Sequence, residues 1–206
     1  MATHLSVRVP GELDTFLIND LGEPFDEITA SSLLKLTLDG DAIGRTGCVD
    51  PDGVAIHRAA YAVRPDVHCA MHIRTLDGAG VALMRQGLRP SNQDVLFVLD
   101  DIVYHRYGMP GSAEEATALG ESCRKGRFVV LNNNGLLSIA ATAPAALRQL
   151  YTLQRTCEWE IDSRRRPELR RARPRAPWSS CTPETPRRSP TQRSNSRCAA
   201  PARTRC

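Results

Sequence analysis

His72 and Arg74 lie two residues apart in Met71-His-Ile-Arg74 and offer a pair of side chains with complementary chemistry. An imidazole moves protons near neutral pH, and a guanidinium grips a carboxylate with two parallel hydrogen bonds. Together they suit enolisation or decarboxylation of a small hydroxy- or oxo-acid, with Arg74 holding the carboxylate and His72 as acid/base. The other histidines offer less. His68 precedes His72 by four residues on one expected strand, which separates them by about 13 Å, too far to share an ion. His57 falls on an expected helix, where packing or a hydrogen bond is the ordinary role. His4 and His105 stand isolated in the sequence. Asp100-Asp101 resembles a carboxylate pair, but adjacent strand residues face opposite sides, so a turn is the better account. Asn132-Asn133-Asn134 before Gly135 suits a tight turn that tolerates left-handed backbone.

The elements that must position these groups are legible as periodicity. Ser6 to Arg8, Thr15 to Ile18 and Leu36 to Leu38 are expected strands, the last running into an Asp39-Gly40 hairpin signal. Val54 to Val63 has helical spacing and ends at Arg64-Pro65-Asp66. Val67 to His72 follows as a strand, then an amphipathic helix from Leu76 that stops at Gly87. Val95 to Leu99 and Ile102 to Tyr104 are expected as two further strands. Ser112-Ala-Glu-Glu115 spells a capping box for a helix burying Ala116, Leu119 and Cys123 and ending at Gly126. Phe128 to Leu131 and Leu136 to Ile139 flank the asparagine turn as strands. A last helix opens near Thr142 with Pro144 in its first turn and buries Leu147, Leu150, Leu153, Cys157 and Ile161. Some neighbouring strands have links too short for a crossover helix, which favours a mixed or antiparallel sheet covered by helices.

Composition divides the chain. Its 206 residues are 41% hydrophobic, enough to bury one core. From Arg164 onward thirteen Arg stand against two Glu, whereas the first 163 residues hold 14 basic and 21 acidic side chains. An acidic α/β body over residues 1–163 followed by a disordered Arg/Pro-rich tail over 164–206 is the expected organisation. The tail could neutralise nucleic-acid phosphates, but it lacks aromatic interleaving and any nucleic-acid-binding motif, so nucleic acid is not the expected partner. No CxxC pair occurs, and four cysteines fall in expected core segments, which suits a reducing cytoplasm. Neither a signal-peptide run nor eighteen consecutive apolar residues is present, so a cytoplasmic protein with no membrane partner is expected.

Several segments, in order, resemble the class II aldolase/adducin family over about three quarters of the chain. They are Leu5-Ser-Val-Arg-Val-Pro10, Phe16-Leu-Ile with Gly22, Leu36 to Gly40, and His57-Arg-Ala-Ala-Tyr61 with Arg64-Pro-Asp-Val67. Met71-His72 and Leu131 to Leu137 with the closing helix complete the set. The resemblance implies an α/β fold of three layers, helix/mixed-sheet/helix. It also implies a homo-oligomer, commonly a tetramer with the site at a subunit interface. The chain begins almost on the first matching segment, where members carry about two earlier helices, so it looks N-terminally truncated.

Members hold zinc or another divalent metal through an His-x-His pair and a third His in an Asn-His-Gly turn, with a Glu one helical turn before the helix His as acid/base. The metal stabilises an enediolate. On this pattern His72 is the one matched ligand, Arg74 stands at the second position and Asn134 at the third. Gly53 stands at the position of the Glu. Three protein ligands are the norm for catalytic zinc, and neutral Asn oxygen is a poor substitute. Arg74 would repel a dication by roughly 4 kcal/mol at contact range and an effective dielectric of about 20. The expected cofactor is therefore none, with zinc returning only if the site is retained after all. The counterparts of the family's phosphate-binding residues, Thr3-His4, Leu21-Gly22 and Pro51-Asp52, are also poorly suited to a dianion. A member without metal-dependent aldehyde-lyase activity, with an assembly or binding role like that of the adducin head, is the leading expectation. The Arg74/His72 enzyme on a small anionic ligand and the basic-tail nucleic-acid binder are the alternatives.

Overall fold

The computed structural model describes residues 3–109 and 111–166. The tail expected to be disordered lies outside these residues apart from its first three, of which Arg164 and Arg165 still belong to the last helix.

Eight strands form one sheet in the order β4-β3-β2-β1-β5-β8-β7-β6. In chain order they are β1 (His4–Arg8), β2 (Thr15–Ile18), β3 (Leu34–Thr37), β4 (Ala42–Ile43), β5 (Cys69–Ile73), β6 (Ile102–His105), β7 (Phe128–Leu131) and β8 (Gly135–Ala140). Every neighbouring pair is antiparallel except β6 and β7, so the sheet is mixed, as the short links imply.

Two helical layers cover the sheet. On one face α1 (Pro51–Val63) and α4 (Ala113–Lys125) pack over Phe16, Leu36, Ala70, Val129, Leu131, Leu137 and Ile139. On the other lie α2 (Leu76–Ala82), α3 (Gln93–Leu99) and α5 (Ala143–Arg165), over Cys69, Met71, Phe128, Val130, Leu136 and Ala140. Alternation along β5, β7 and β8 divides the side chains between the two cores. This is the three-layer α/β arrangement.

Several expectations need correction. Val95 to Leu99 is helix, not strand. Asn92 Oδ1 accepts from Val95 N at 3.0 Å, and Val95 and Val98, three apart, bury one side. The cap outweighs the β preference of the two valines. Helix α1 starts at Pro51 rather than Val54, because Asp50 caps it and Pro51 is preorganised for its first turn. The capping box is half formed: Ser112 Oγ accepts from Glu115 N at 3.1 Å, but the Glu115 carboxylate turns away to His105 and Gly108. Ala116 is exposed and Glu115 is buried in its place. On α5 the buried stripe is set by Ala146, and Leu147 is exposed. Cys48 is exposed; Cys69, Cys123 and Cys157 are buried free thiols.

Candidate functional site

Strand β1 alternates inward-facing His4, Ser6 and Arg8 with Leu5 and Val7, so three polar side chains face α1. On α1, His57 and Tyr61 lie four apart and meet them. Tyr61 Oη pairs with Ser6 Oγ at 2.8 Å, Ser6 Oγ with His57 Nδ1 at 2.7 Å, and His57 Nε2 with His4 Nδ1 at 2.6 Å. These three contacts link Tyr61, Ser6, His57 and His4 into one chain of hydrogen bonds. Arg8 ties the far end down: Nε donates to Val67 O, Nη2 to Tyr61 O, and the guanidinium sits 4.5 Å from the Tyr61 ring centre.

His72 on β5 is the cross-strand partner of His4, and the two rings stack with centroids 4.5 Å apart. Arg74 follows β5 directly, its Cγ 3.2 Å from where a Cβ on Gly135 would lie. Asn134 sits in the turn between β7 and β8, where Asn133 takes the left-handed conformation (φ 62°) expected of that run. The structure thus gathers His72, Arg74 and Asn134, as the resemblance implies, and adds His4. The isolated standing of His4 in the sequence is corrected, and so is that of His105.

Gly53, where the resemblance implies an acid/base Glu, has no room for a side chain. A Cβ on Gly53 would lie 2.7 Å from His4 Cδ2 and 2.9 Å from His4 Nε2. The imidazole of His4 fills the space a side chain at residue 53 would need, so Gly53 and His4 are a packed pair.

Polar atoms here lack partners. His4 Nε2, both nitrogens of His72, Arg74 Nε and Asn134 Oδ1 are buried with no hydrogen bond. Burial lowers the His72 pKa to about 2, with the neighbouring His4 and Arg74 charges adding to it and Asn134 opposing. It lowers that of His4 to about 4, Asp50 opposing and Arg74 adding. Burial also holds His57 well below the ordinary value, with His4 and His72 adding. All three rings are neutral at pH 7. Tyr107, after β6, is pushed up to about 12 by burial and by Asp52, Glu115 and Asp50, with Arg74 opposing.

A metal does not fit this donor set. Among the described residues no three His, Cys, Asp or Glu side chains are arranged to hold an ion. His57 Nε2 and His4 Nδ1 are spent on each other, and Arg74 adds a fixed positive charge.

Sequence reasoning missed a second polar cluster beside α4. His105 Nε2 donates to Glu115 Oε1 at 2.7 Å, His105 Nδ1 pairs with Ser122 Oγ at 2.9 Å, and Gly108 N donates to Glu115 Oε2 at 2.8 Å. Glu115 and Ser122 lie seven apart on one face of α4, a spacing that could have signalled a shared partner. For the first cluster the available signal was the polar i, i+2, i+4 run of β1 facing a polar i, i+4 pair on α1.

Comparison with known proteins agrees with the fold. The family model for the class II aldolase and adducin N-terminal domain matches residues 1–161. A Pseudomonas aeruginosa protein named "Putative aldolase class 2 protein" is 40% identical over 161 residues, 77% of this chain and 62% of its own length. Mouse alpha-adducin is 36% identical over 163 residues, 77% of this chain and 22% of its own. The chain spans less than two thirds of the length of these relatives. A crystal structure of an aldolase II superfamily protein from Pseudomonas syringae superposes with a TM-score of 0.76 at 32% identity, covering 84% of this chain and 71% of that one. The fold of an L-fuculose 1-phosphate aldolase from Glaciozyma antarctica is similar, with a TM-score of 0.69 at 24% identity over 78% of this chain and 63% of that one. The chain belongs to the class II aldolase and adducin N-terminal domain family.

Proposed function

We propose that this chain is a family member without metal-dependent aldehyde-lyase activity, working by assembly or binding in the manner of an adducin head. The observation that carries the reading is the Gly53/His4 pair: the space for the acid/base carboxylate is filled by an imidazole, beside Arg74 and Asn134 in place of two metal ligands. Water activation and enediolate stabilisation by a metal have no support in such a donor set.

An assembly role draws support from the helical layer of α2, α3 and α5. Leu76, Leu83, Phe97, Leu147 and Tyr151 are all more than half exposed there, an apolar surface that suits a homo-oligomer. No helix among the described residues is long and apolar enough to cross a membrane. The buried free thiols Cys69, Cys123 and Cys157 suit a cytoplasmic setting. The test is elemental analysis of the purified chain together with an aldol-cleavage assay. Substoichiometric metal and no chelator-sensitive cleavage are expected; stoichiometric metal with chelator-sensitive turnover would overturn the proposal.

A further inference from the structure

The unpartnered atoms around His72 share a chemical character. His4 Nε2 is buried with no partner, its ring held at Nδ1 by His57 Nε2. Arg74 Nε–H is a buried donor with no acceptor, and no hydrogen bond or ion pair links Arg74 to another described residue. Neutral His72 carries one N–H that no hydrogen bond satisfies, and the Asn134 side chain lies close enough to favour the protonated ring. His4 and His72 are more than nine-tenths buried, and so is Asn134. A buried donor left unmade costs about 1–3 kcal/mol, so several in one place call for an acceptor.

What acceptor fits follows from charge. The Arg74 guanidinium is the fixed positive charge, near enough to the His4 and His72 rings to act on both. Asp50, close enough to His4 to act on it, and Asp52 at the start of α1 set a limit on negative charge. A dianion such as phosphate meets both carboxylates, whereas a carboxylate brings a single charge and two oxygens that match the guanidinium fork. A cleft lined by Thr3, His4, Ile18, Asn19, Leu21 and Asp50 lies beside His4.

We propose that His4, His72, Arg74 and Asn134 form a binding site for the carboxylate of a small monoanionic acid. This rests on the metal-free reading above and names the ligand class of the same site. His4 is its new member, its ring held in place by the hydrogen bond to His57.

The test is calorimetric titration of the full chain with pyruvate, and with inorganic phosphate, on wild type and on Arg74→Met and His4→Phe, with metal measured in the same samples. Pyruvate binding to wild type is expected, with phosphate about tenfold weaker or more, and with about tenfold or greater loss in Arg74→Met. His4→Phe keeps an aromatic ring and loses the unpartnered Nε2, and is expected to weaken pyruvate several-fold. Circular dichroism confirms that each variant is folded; should Arg74→Met fail to fold, Arg74→Lys and His4→Phe carry the comparison. No pyruvate heat in a zinc-free wild type, or equal affinity in a folded Arg74 variant, overturns the carboxylate site and leaves the metal-free reading standing. Phosphate binding as tight as pyruvate overturns the ligand class. Stoichiometric zinc in the wild type defeats the metal-free reading itself.

Discussion

Two buried histidines on neighbouring parts of one sheet live by opposite rules. Around His105 both ring nitrogens are paired, and both oxygens of Glu115 are used. Around His72 no ring nitrogen is paired, and Arg74 and Asn134 beside it also carry unused polar atoms. A closed set of bonds holds a structure together, and an open one waits for something outside the chain. The His105 cluster pins Gly108, and with it the segment carrying Tyr107, to α4. The His72 cluster is where a ligand belongs.

The comparison can be broken most directly at His105. Removing the ring by His105→Leu leaves Glu115 buried without its partner, and a loss of about 3 kcal/mol in urea unfolding is expected. A loss below about 1 kcal/mol would mean that the closed network carries no stability. The open cluster has its own signature in pH. Unfolded histidine titrates near 6.5 and folded His4 near 4, with His57 and His72 displaced in the same direction. Below pH 6.5 the unfolded chain takes up protons that the buried rings refuse, so stability should be full above that pH and fall as pH drops toward 4. A fall of about 3 kcal/mol or more is expected, and it should shrink in His4→Phe. A stability that is flat from pH 7 to 4 would contradict the neutral, buried state of this cluster.

Smaller effects sharpen the contrast. Ser122→Ala removes one partner of His105 and should cost about 1 kcal/mol. His72→Leu removes a ring that has no hydrogen bond to lose, so a change within about 1 kcal/mol of zero, of either sign, is expected. If His72→Leu cost more than His105→Leu, the assignment of closed and open clusters would be reversed.

The fold was legible because its strands and most of its helices announce themselves by periodicity and punctuation. The asparagine turn, the Asp39-Gly40 hairpin and the Pro144 helix start all stand where local chemistry puts them. Where expectation failed, a single cap or a tertiary partner decided the matter. Asn92 turned a valine-rich run into helix, and His105 drew Glu115 away from its capping box. Of the site, His72, Arg74 and Asn134 were legible through the family pattern. His4 was not, because its partner His57 is 53 residues away and the pairing of β1 with α1 cannot be seen in a local window. The filling of the Gly53 position by His4 is likewise a fact of packing, invisible until the strand and helix are set side by side.

The central claim is that this member of the family has no metal centre, and calorimetric zinc titration tests it most directly. Wild type and the Arg74→His/Asn134→His double variant would be titrated side by side. The account predicts no stoichiometric zinc binding by wild type and one zinc per chain in the double variant, where imidazoles return to the two substituted ligand positions. Tight, stoichiometric zinc binding by wild type would contradict it and restore a metal-dependent lyase as the leading reading.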